Sequence, residues 1–378
     1  MSPSLNPGPH PDVLVIGGGI IGCSIALRLA QGGLRVTVLE KGNPGGEASS
    51  AAAGMIAPQG EICGRDPFFE LCAQSRDLYP NFISEIEQLT SRRIYYRRNG
   101  TMLLALNERE TQELEQIYQG QTEAGLPVDR LTAAETRNRV GGLSPEIRKA
   151  LYIAGDHSVD NEELSAALAV GCERLGVQFR AGAEAKRLKM NGKTLERVET
   201  SPNGAGGTTL SAGCYVLAAG AWSGLLAKDA GLKLPVIPCR GQMMELEADT
   251  ELPMVVRAGH YYLVPRSGGR LLAGATAEYV GHHKAVTAEG LQSILEGASR
   301  MGPFVKQLRF RRAWSGLRPD TADHLPVLGR GSIQNLVYAT GHFRNGILLA
   351  PVTAKLISEL ILKGSASCSL DAYSPERF

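Results

Sequence analysis

One stretch near the start of the chain limits the fold more than any other. It reads Asp12-Val-Leu-Val-Ile-Gly-Gly-Gly-Ile-Ile-Gly22, continues as a helical pattern to Gly32, and then gives Val36-Thr-Val-Leu-Glu40. A buried strand (Val13 to Ile16) enters a glycine turn, a helix follows, and a second strand ends on an acid. Gly17 permits the tight turn, Gly19 lets backbone approach a pyrophosphate, and Gly22 lets the helix pack close to the sheet. The helix N-terminus offers unpaired N–H groups and a positive dipole end to phosphates. Glu40 stands 18 residues past Gly22, the spacing of a carboxylate that accepts from ribose hydroxyls. An acid there disfavours a 2′-phosphate and with it NADP. Strand, glycines, helix, strand and acid in this order predict a Rossmann-like α/β domain that holds a dinucleotide.

The chain is long enough for two domains, with 378 residues of which 43% are hydrophobic. Forty basic against 38 acidic residues leave a net charge of +2, and no basic block is interleaved with aromatics, so nucleic-acid binding has no electrostatic support. The seven cysteines are scattered without a CxxC pair, which fits reduced thiols and a cytoplasmic location. No cluster suggests a metal site. The first eleven residues lack the regions of a signal peptide and read as a loose tail, and no apolar run is expected to span a membrane.

Beyond Glu40, the segment from Gly45 to Ala57 is dominated by small residues, as where backbone passes close to a bulky ligand. Ser49 and Ser50 are placed to cap a helix starting at Ala51. Helices are predicted at Pro67–Leu89, Glu108–Ala124, Glu162–Leu175 and Ala288–Gly302, and a long helix following Gly341–Ala350 runs to Leu362. Strands are predicted at Ile94–Tyr96, Gly100–Leu106, Val177–Phe179, from Tyr215, and repeatedly between Leu234 and Phe310, with a polar hairpin turn at 202–207. The alternation predicts a discontinuous dinucleotide domain (1–90, 155–230 and 319–378) into which a β-rich α+β substrate domain (91–154 and 231–318) is inserted.

Four further motifs carry a family likeness. Ser49-Ser-Ala-Ala-Ala-Gly-Met55, Ala218-Ala-Gly-Ala-Trp222, Trp314-Ser-Gly-Leu-Arg-Pro319 and Gly341-His-Phe-Arg-Asn-Gly-Ile-Leu-Leu-Ala-Pro351 resemble the D-amino-acid-oxidase superfamily of flavoproteins, most nearly its glycine oxidase branch of the thiamine pathway. The resemblance runs from about Val13 to Leu362. It implies FAD, which is expected to be noncovalent, a small amine or amino acid as substrate, molecular oxygen as oxidant and a homo-oligomer, a tetramer in the branch it resembles; the lack of an amphipathic anchor counts against a membrane partner.

The resemblance also assigns residues. Around FAD it places the turn of Gly17, Gly19, Ile20, Ile21 and Gly22, then Glu40 and Lys41. It adds Ser49, Ser50, Ala52, Ala53, Gly54 and Met55 from the small-residue segment, and Ala219, Gly220 and Trp222 from the middle of the chain. From the last motif it takes Gly341, His342, Arg344, Asn345, Gly346, Ile347 and Leu348. There the N–H groups at the start of a helix would face the flavin pyrimidine ring and stabilise negative charge on its reduced form. The plain alternative is a strand-to-helix turn capped by Asn345.

For the substrate, Arg318 matches the carboxylate-binding arginine, a role that a guanidinium's bidentate geometry suits; its alternative is an ion pair to Asp320 or Asp323. Tyr262 matches a tyrosine on the same carboxylate, and strand alternation puts Tyr261 and Tyr262 on opposite faces. His260, Arg344 and Met55 match further pocket residues. The sequence departs from the family at Ala277, where the glycine oxidase pattern has a methionine; the pocket here should be larger. No cysteine lies near Arg318 in the chain, where sarcosine oxidases attach their flavin. Rival readings are an oxidase of sarcosine, other N-substituted glycines or D-amino acids, a quinone-linked dehydrogenase, and a nicotinamide enzyme or a non-catalytic FAD-binding protein.

Overall fold

The computed structural model describes residues 10–60, 65–201, 208–249 and 251–378. The predicted hairpin turn at 202–207 and most of the N-terminal tail lie outside them.

The opening strand Val13–Ile16 is the centre of a six-stranded sheet. It lies parallel to Val36–Leu39 on one side and Cys214–Leu217 on the other; Gln178–Arg180 and Leu336–Thr340 extend the sheet in parallel, and Val327–Arg330 closes one edge antiparallel. Its residues are apolar throughout because both faces are covered. Val13 and Val15 face one core, shared with the helices Ile20–Gln31, Pro67–Thr90, Asn161–Arg174 and Gly346–Lys363. Leu14 and Ile16 face another, made with the hairpin strands Ala185–Asn191 and Thr194–Thr200 and the helix Ser223–Asp229. The fold is α/β with a Rossmann-like sheet.

A second, eight-stranded sheet runs in the order Arg309–Asp320, Ile237–Glu247, Arg270–Gly274, Tyr261–Arg266, Val255–Ala258, Thr101–Ala105, Lys149–Ile153 and Asp129–Thr132. Helix Ala288–Met301 covers one face, burying Ile294, Ala298 and Met301 against Leu246, Leu263 and Ala273. The other face, with Met243, Tyr262, Val264 and Leu272, turns toward Ala53 and Met55 of the small-residue segment. Strand alternation therefore sends Tyr262 to the inner face and Tyr261 to the helix.

Arg309–Asp320 is a single long edge strand, a position that tolerates Gly316 and Pro319. One sequence expectation is corrected. Phe343–Lys363 does reach membrane-spanning length and apolarity (21 residues, mean hydropathy 1.4). It is a core helix instead, with Leu349, Ala350, Ala354 and Ile357 fully buried.

Pro351 inside that helix has no N–H for the carbonyl of Ile347 four residues earlier. The Tyr79 hydroxyl donates to this carbonyl instead. Ser75 Oγ donates to Leu348 O (2.6 Å) and accepts from Val352 N–H (3.3 Å). The break is thus satisfied from the neighbouring helix, which fixes where the first turn of Gly346–Lys363 points.

Candidate active site

Between the two sheets lies a cavity of about 690 Å³, within the range of ligand sites. It runs from Glu40 and Lys186 at one end to Arg318, Tyr262 and His260 at the other.

At the first end the glycine turn is shaped by close approaches. Gly17 has φ +109°, and a methyl carbon there would lie 2.7 Å from the Ala218 carbonyl carbon. At Gly22 a side chain would collide with the Gly17 carbonyl, so Gly22 sits behind the turn and sets its approach to the helix without lining the cavity. Gly19 caps helix Ile20–Gln31 without a side chain, and Ser49 Oγ accepts from Ile20 N–H (2.8 Å). The remaining N–H groups of the first turn have no intrahelical acceptor, and Gly19, Ile20 and Ile21 line the cavity. Glu40 is buried and accepts from Gly18 N–H and Gly42 N–H, each at 2.8 Å. Lys41 lies over the Trp222 ring, 3.1 Å from its centroid, and pairs with Glu47 at 2.8 Å.

The small-residue segment forms one wall. The helix there is Ala48–Ala51, so Ser49 and Ser50 lie inside it rather than capping a helix at Ala51; Glu47 precedes it. Ser49 faces the turn, whereas Ser50 donates to Glu47 O (3.1 Å) and points away from the cavity. Ala52, Ala53, Gly54 and Met55 line it. Buried Arg266 pins this wall by donating to Ala53 O (2.6 Å) and to Asn161 Oδ1 (2.9 Å), while Asn161 donates to Ser49 O (2.7 Å).

Opposite, Ala219, Gly220 and Trp222 line the cavity, and Gly220 has φ +53° with open space where a side chain would be. The start of the last helix contributes His342, Arg344, Asn345, Gly346 and Ile347. Asn345 precedes this helix without a side-chain cap, leaving its first N–H groups toward the cavity. Gly341 (φ +71°) makes the turn from behind, against Thr321, and Leu348 is buried in the core. The His342 ring turns inward, with Nε2 3.0 Å from Thr353 Oγ1, and burial pushes its pKa down to about 3. That imidazole is neutral at physiological pH. Two helix N-termini thus converge on one elongated cavity with a carboxylate at its end and glycines where a bulky group must pass. These features fit a group such as FAD: the first helix N-terminus would suit a pyrophosphate, Glu40 a ribose, and the second helix N-terminus a flavin ring.

At the other end, Tyr262 is 6% exposed and its hydroxyl donates to Met243 Sδ (3.1 Å), a weak acceptor. Gly274, paired with Tyr262 across the strands, leaves room for the ring: a methyl carbon there would lie 2.8 Å from it. Arg318 comes from the edge strand and donates from Nη1 to Thr276 O (3.0 Å). Neither carboxylate considered from sequence pairs with it. Asp320 accepts from Tyr279 and contacts His324, and Asp323 pairs with Arg377. His260 and Arg344 line the cavity from exposed positions; burial, with the Arg344 charge second, lowers the His260 pKa. Ala277 is also an exposed lining residue. Among the described residues no cysteine lines the cavity; Cys239, opposite Arg318 in register, is fully buried.

Sequence reading missed Gly241, Met243, Gly274, Thr276 and Gly316, which line or shape this end. Gly241, Met243 and Gly274 lie on strands with no local motif, Thr276 lies just beyond one, and Gly316 stands within the Trp314–Pro319 motif, which gives no sign of what it packs against; sheet register brings them to Arg318.

Known proteins resemble this chain in sequence and fold. The sequence profile of the FAD dependent oxidoreductase family matches residues 12–360. The chain is 35% identical to glycine oxidase of Geobacillus kaustophilus over 372 residues, 97% of each protein. The crystal structure of that enzyme superposes with a TM-score of 0.92, covering 98% of this chain and 99% of the other. The chain is also 38% identical over 375 residues to the bifunctional protein ThiO/ThiG of Synechocystis sp., covering 97% of this chain but 54% of that relative. It spans about half the length of such bifunctional relatives.

Proposed function

From the premise that the chain belongs to the FAD dependent oxidoreductase family, we propose that it is a glycine oxidase, converting glycine, oxygen and water to glyoxylate, ammonia and hydrogen peroxide. This is the reaction that the resemblance ties to the thiazole branch of thiamine biosynthesis. One observation carries the reading: a single cavity joins a dinucleotide cradle to an arginine and a tyrosine.

FAD, when bound, supplies the two-electron acceptor and the means of passing electrons to oxygen. Arg318 binds the substrate carboxylate, and Tyr262 exchanges its weak bond to Met243 for a bond to the same group. Holding the amino acid by its carboxylate orients the α-carbon and converts an encounter into a positioned contact. The N–H groups at Gly346 and Ile347 stabilise negative charge that develops beside them. His260 and Arg344 flank the exposed rim, and Met55 packs beside Met243 and Tyr262. No side chain is assigned as acid or base; His342, held neutral by burial, is not one. The amine substrate must arrive unprotonated or lose its proton to water.

The cofactor is held noncovalently, a reading supported by the absence of cysteine from the described cavity lining. The two sheets support a division into a dinucleotide domain of 1–90, 155–230 and 319–378 and a substrate domain of 91–154 and 231–318. A cytoplasmic homo-oligomer without membrane or nucleic-acid partner completes the reading. A second reading, oxidation of sarcosine or a bulkier N-substituted glycine, is favoured by Ala277, whose methyl leaves the rim open.

A peroxide assay with glycine, sarcosine, N-alkylglycines and D-alanine tests both. Glycine turnover with the highest kcat/KM supports the first reading; a bulkier amine in the lead replaces it with the second. Arg318→Ala should raise KM about 10²-fold while FAD stays bound, since a charge-assisted bidentate contact is lost. An unchanged KM sinks the anchor assignment.

A further inference from the structure

We infer that Gly241, which no sequence motif marks, is a positioning residue for the carboxylate anchor: its bare backbone is the seat on which the Arg318 guanidinium lies. The inference rests on the reading of Arg318 given above.

Gly241 sits in the strand Ile237–Glu247, directly opposite Gly316 of the edge strand and two residues along from Cys239, which lies opposite Arg318. A methyl carbon built on Gly241 would lie 2.5 Å from both Cζ and Nη1 of Arg318, closer than any real contact. The planar guanidinium therefore crosses the strand where a side chain would stand. Thr276 O holds it there by accepting from Nη1 (3.0 Å). That carbonyl is fixed in turn, because Thr276 Oγ1 accepts from Gln242 N–H (2.9 Å) and bonds Glu278, which is paired with Arg240. Gly241, the floor beneath the guanidinium, and Gln242, which fixes the acceptor beside it, are thus adjacent residues of one strand. On the facing strand, Gly316 leaves space for Ala51 of the small-residue wall in the same way: a methyl there would meet the Ala51 methyl at 2.5 Å.

Gly241 does not need glycine for its own conformation, since its φ lies outside the left-handed region. Alanine would suit the strand, and what it meets is the far end of a flexible side chain. The backbone should accept the change and the guanidinium should move. A displacement of about 1 Å is enough to lose a bidentate geometry.

The experiment is a double-mutant cycle on the FAD-loaded enzyme, with Gly241→Ala, Arg318→Ala and the double variant. It follows KM and kcat for the preferred amine, inhibition by acetate as an unreactive carboxylate, and thermal midpoint. We expect Gly241→Ala to raise KM and the acetate inhibition constant together, by about tenfold or more, with kcat within about threefold and the midpoint unchanged or raised. In the Arg318→Ala background the same substitution should change KM by less than about twofold, the signature of two residues acting as one. An equal KM increase in both backgrounds, or a silent Gly241→Ala beside a strong Arg318→Ala, overturns the seat. A silent Arg318→Ala overturns the anchor itself, and the seat with it. Should Gly241→Ala misfold, Gly241→Ser takes its place in the cycle, with the same outcomes supporting or overturning the seat.

Discussion

His342 offers a measurement in which the structure fixes both sign and size. Its ring is 2% exposed, packed along the last helix with Nε2 3.0 Å from Thr353 Oγ1. Burial alone lowers its pKa from 6.5 to about 3. A histidine whose folded pKa is depressed carries no penalty above the unfolded value. It costs stability as pH falls below about 6.5, because the unfolded chain takes up a proton that the native ring refuses. At pH 5 the unfolded ring gains a factor of about 30 in its partition function and the native ring almost none, which is about 2 kcal/mol of stability lost. The loss grows to about 4 kcal/mol at pH 3. His342→Gln keeps a polar group near Thr353 and removes the titration. Urea unfolding of the FAD-loaded protein at pH 7.5 and pH 5 should show the variant losing about 2 kcal/mol less than the parent over that interval. Histidine-labelled NMR gives the direct check, with the His342 resonances constant from pH 8 to pH 5. A titration midpoint near 6.5, or equal pH slopes in the two proteins, would refute the burial argument and reopen the assignment of this ring as neutral during turnover.

Two further outcomes follow from close approaches. Gly22→Ala drives a methyl into the Gly17 carbonyl, a backbone contact that no side chain can relieve. FAD affinity of the apoprotein, followed by flavin fluorescence, should weaken about tenfold or more, in line with about 1–3 kcal/mol for overpacking; a Kd within twofold of the parent contradicts the cradle. Ala277→Met fills the open rim, and the ratio of kcat/KM for glycine over sarcosine should rise about tenfold, as about one to three kcal/mol per methylene-sized mismatch allows. An unchanged ratio means that the rim does not set substrate size.

What the sequence determined by itself was local. The turn of Gly17, Gly19 and Gly22, its flanking strands and Glu40 fall within 30 residues, so their spacing alone specifies a strand–turn–helix–strand unit and its phosphate end. Alternation in Tyr261-Tyr-Leu-Val placed Tyr262 and Tyr261 on opposite faces, because a pleated strand has no other option. Arg318 was legible as a guanidinium within the Trp314–Pro319 motif. The tertiary structure decided what it rests on. Register between Ile237–Glu247 and Arg309–Asp320 sets Gly241 beneath it, and the chain returning after Gly274 brings the Thr276 carbonyl beside it. No period or propensity encodes pairings between strands so far apart. The same holds for Ser50, which turned from the cavity once the short helix began at Ala48, and for His342, whose ring chose the core over the cofactor side. Pro351 reads as a helix breaker in sequence; Tyr79 and Ser75, reaching across from another helix, allow the helix to continue and aim its first turn at the cavity. Composition and local pattern fix which elements form and which face is apolar, whereas the direction of each polar side chain depends on partners that only the packed chain supplies.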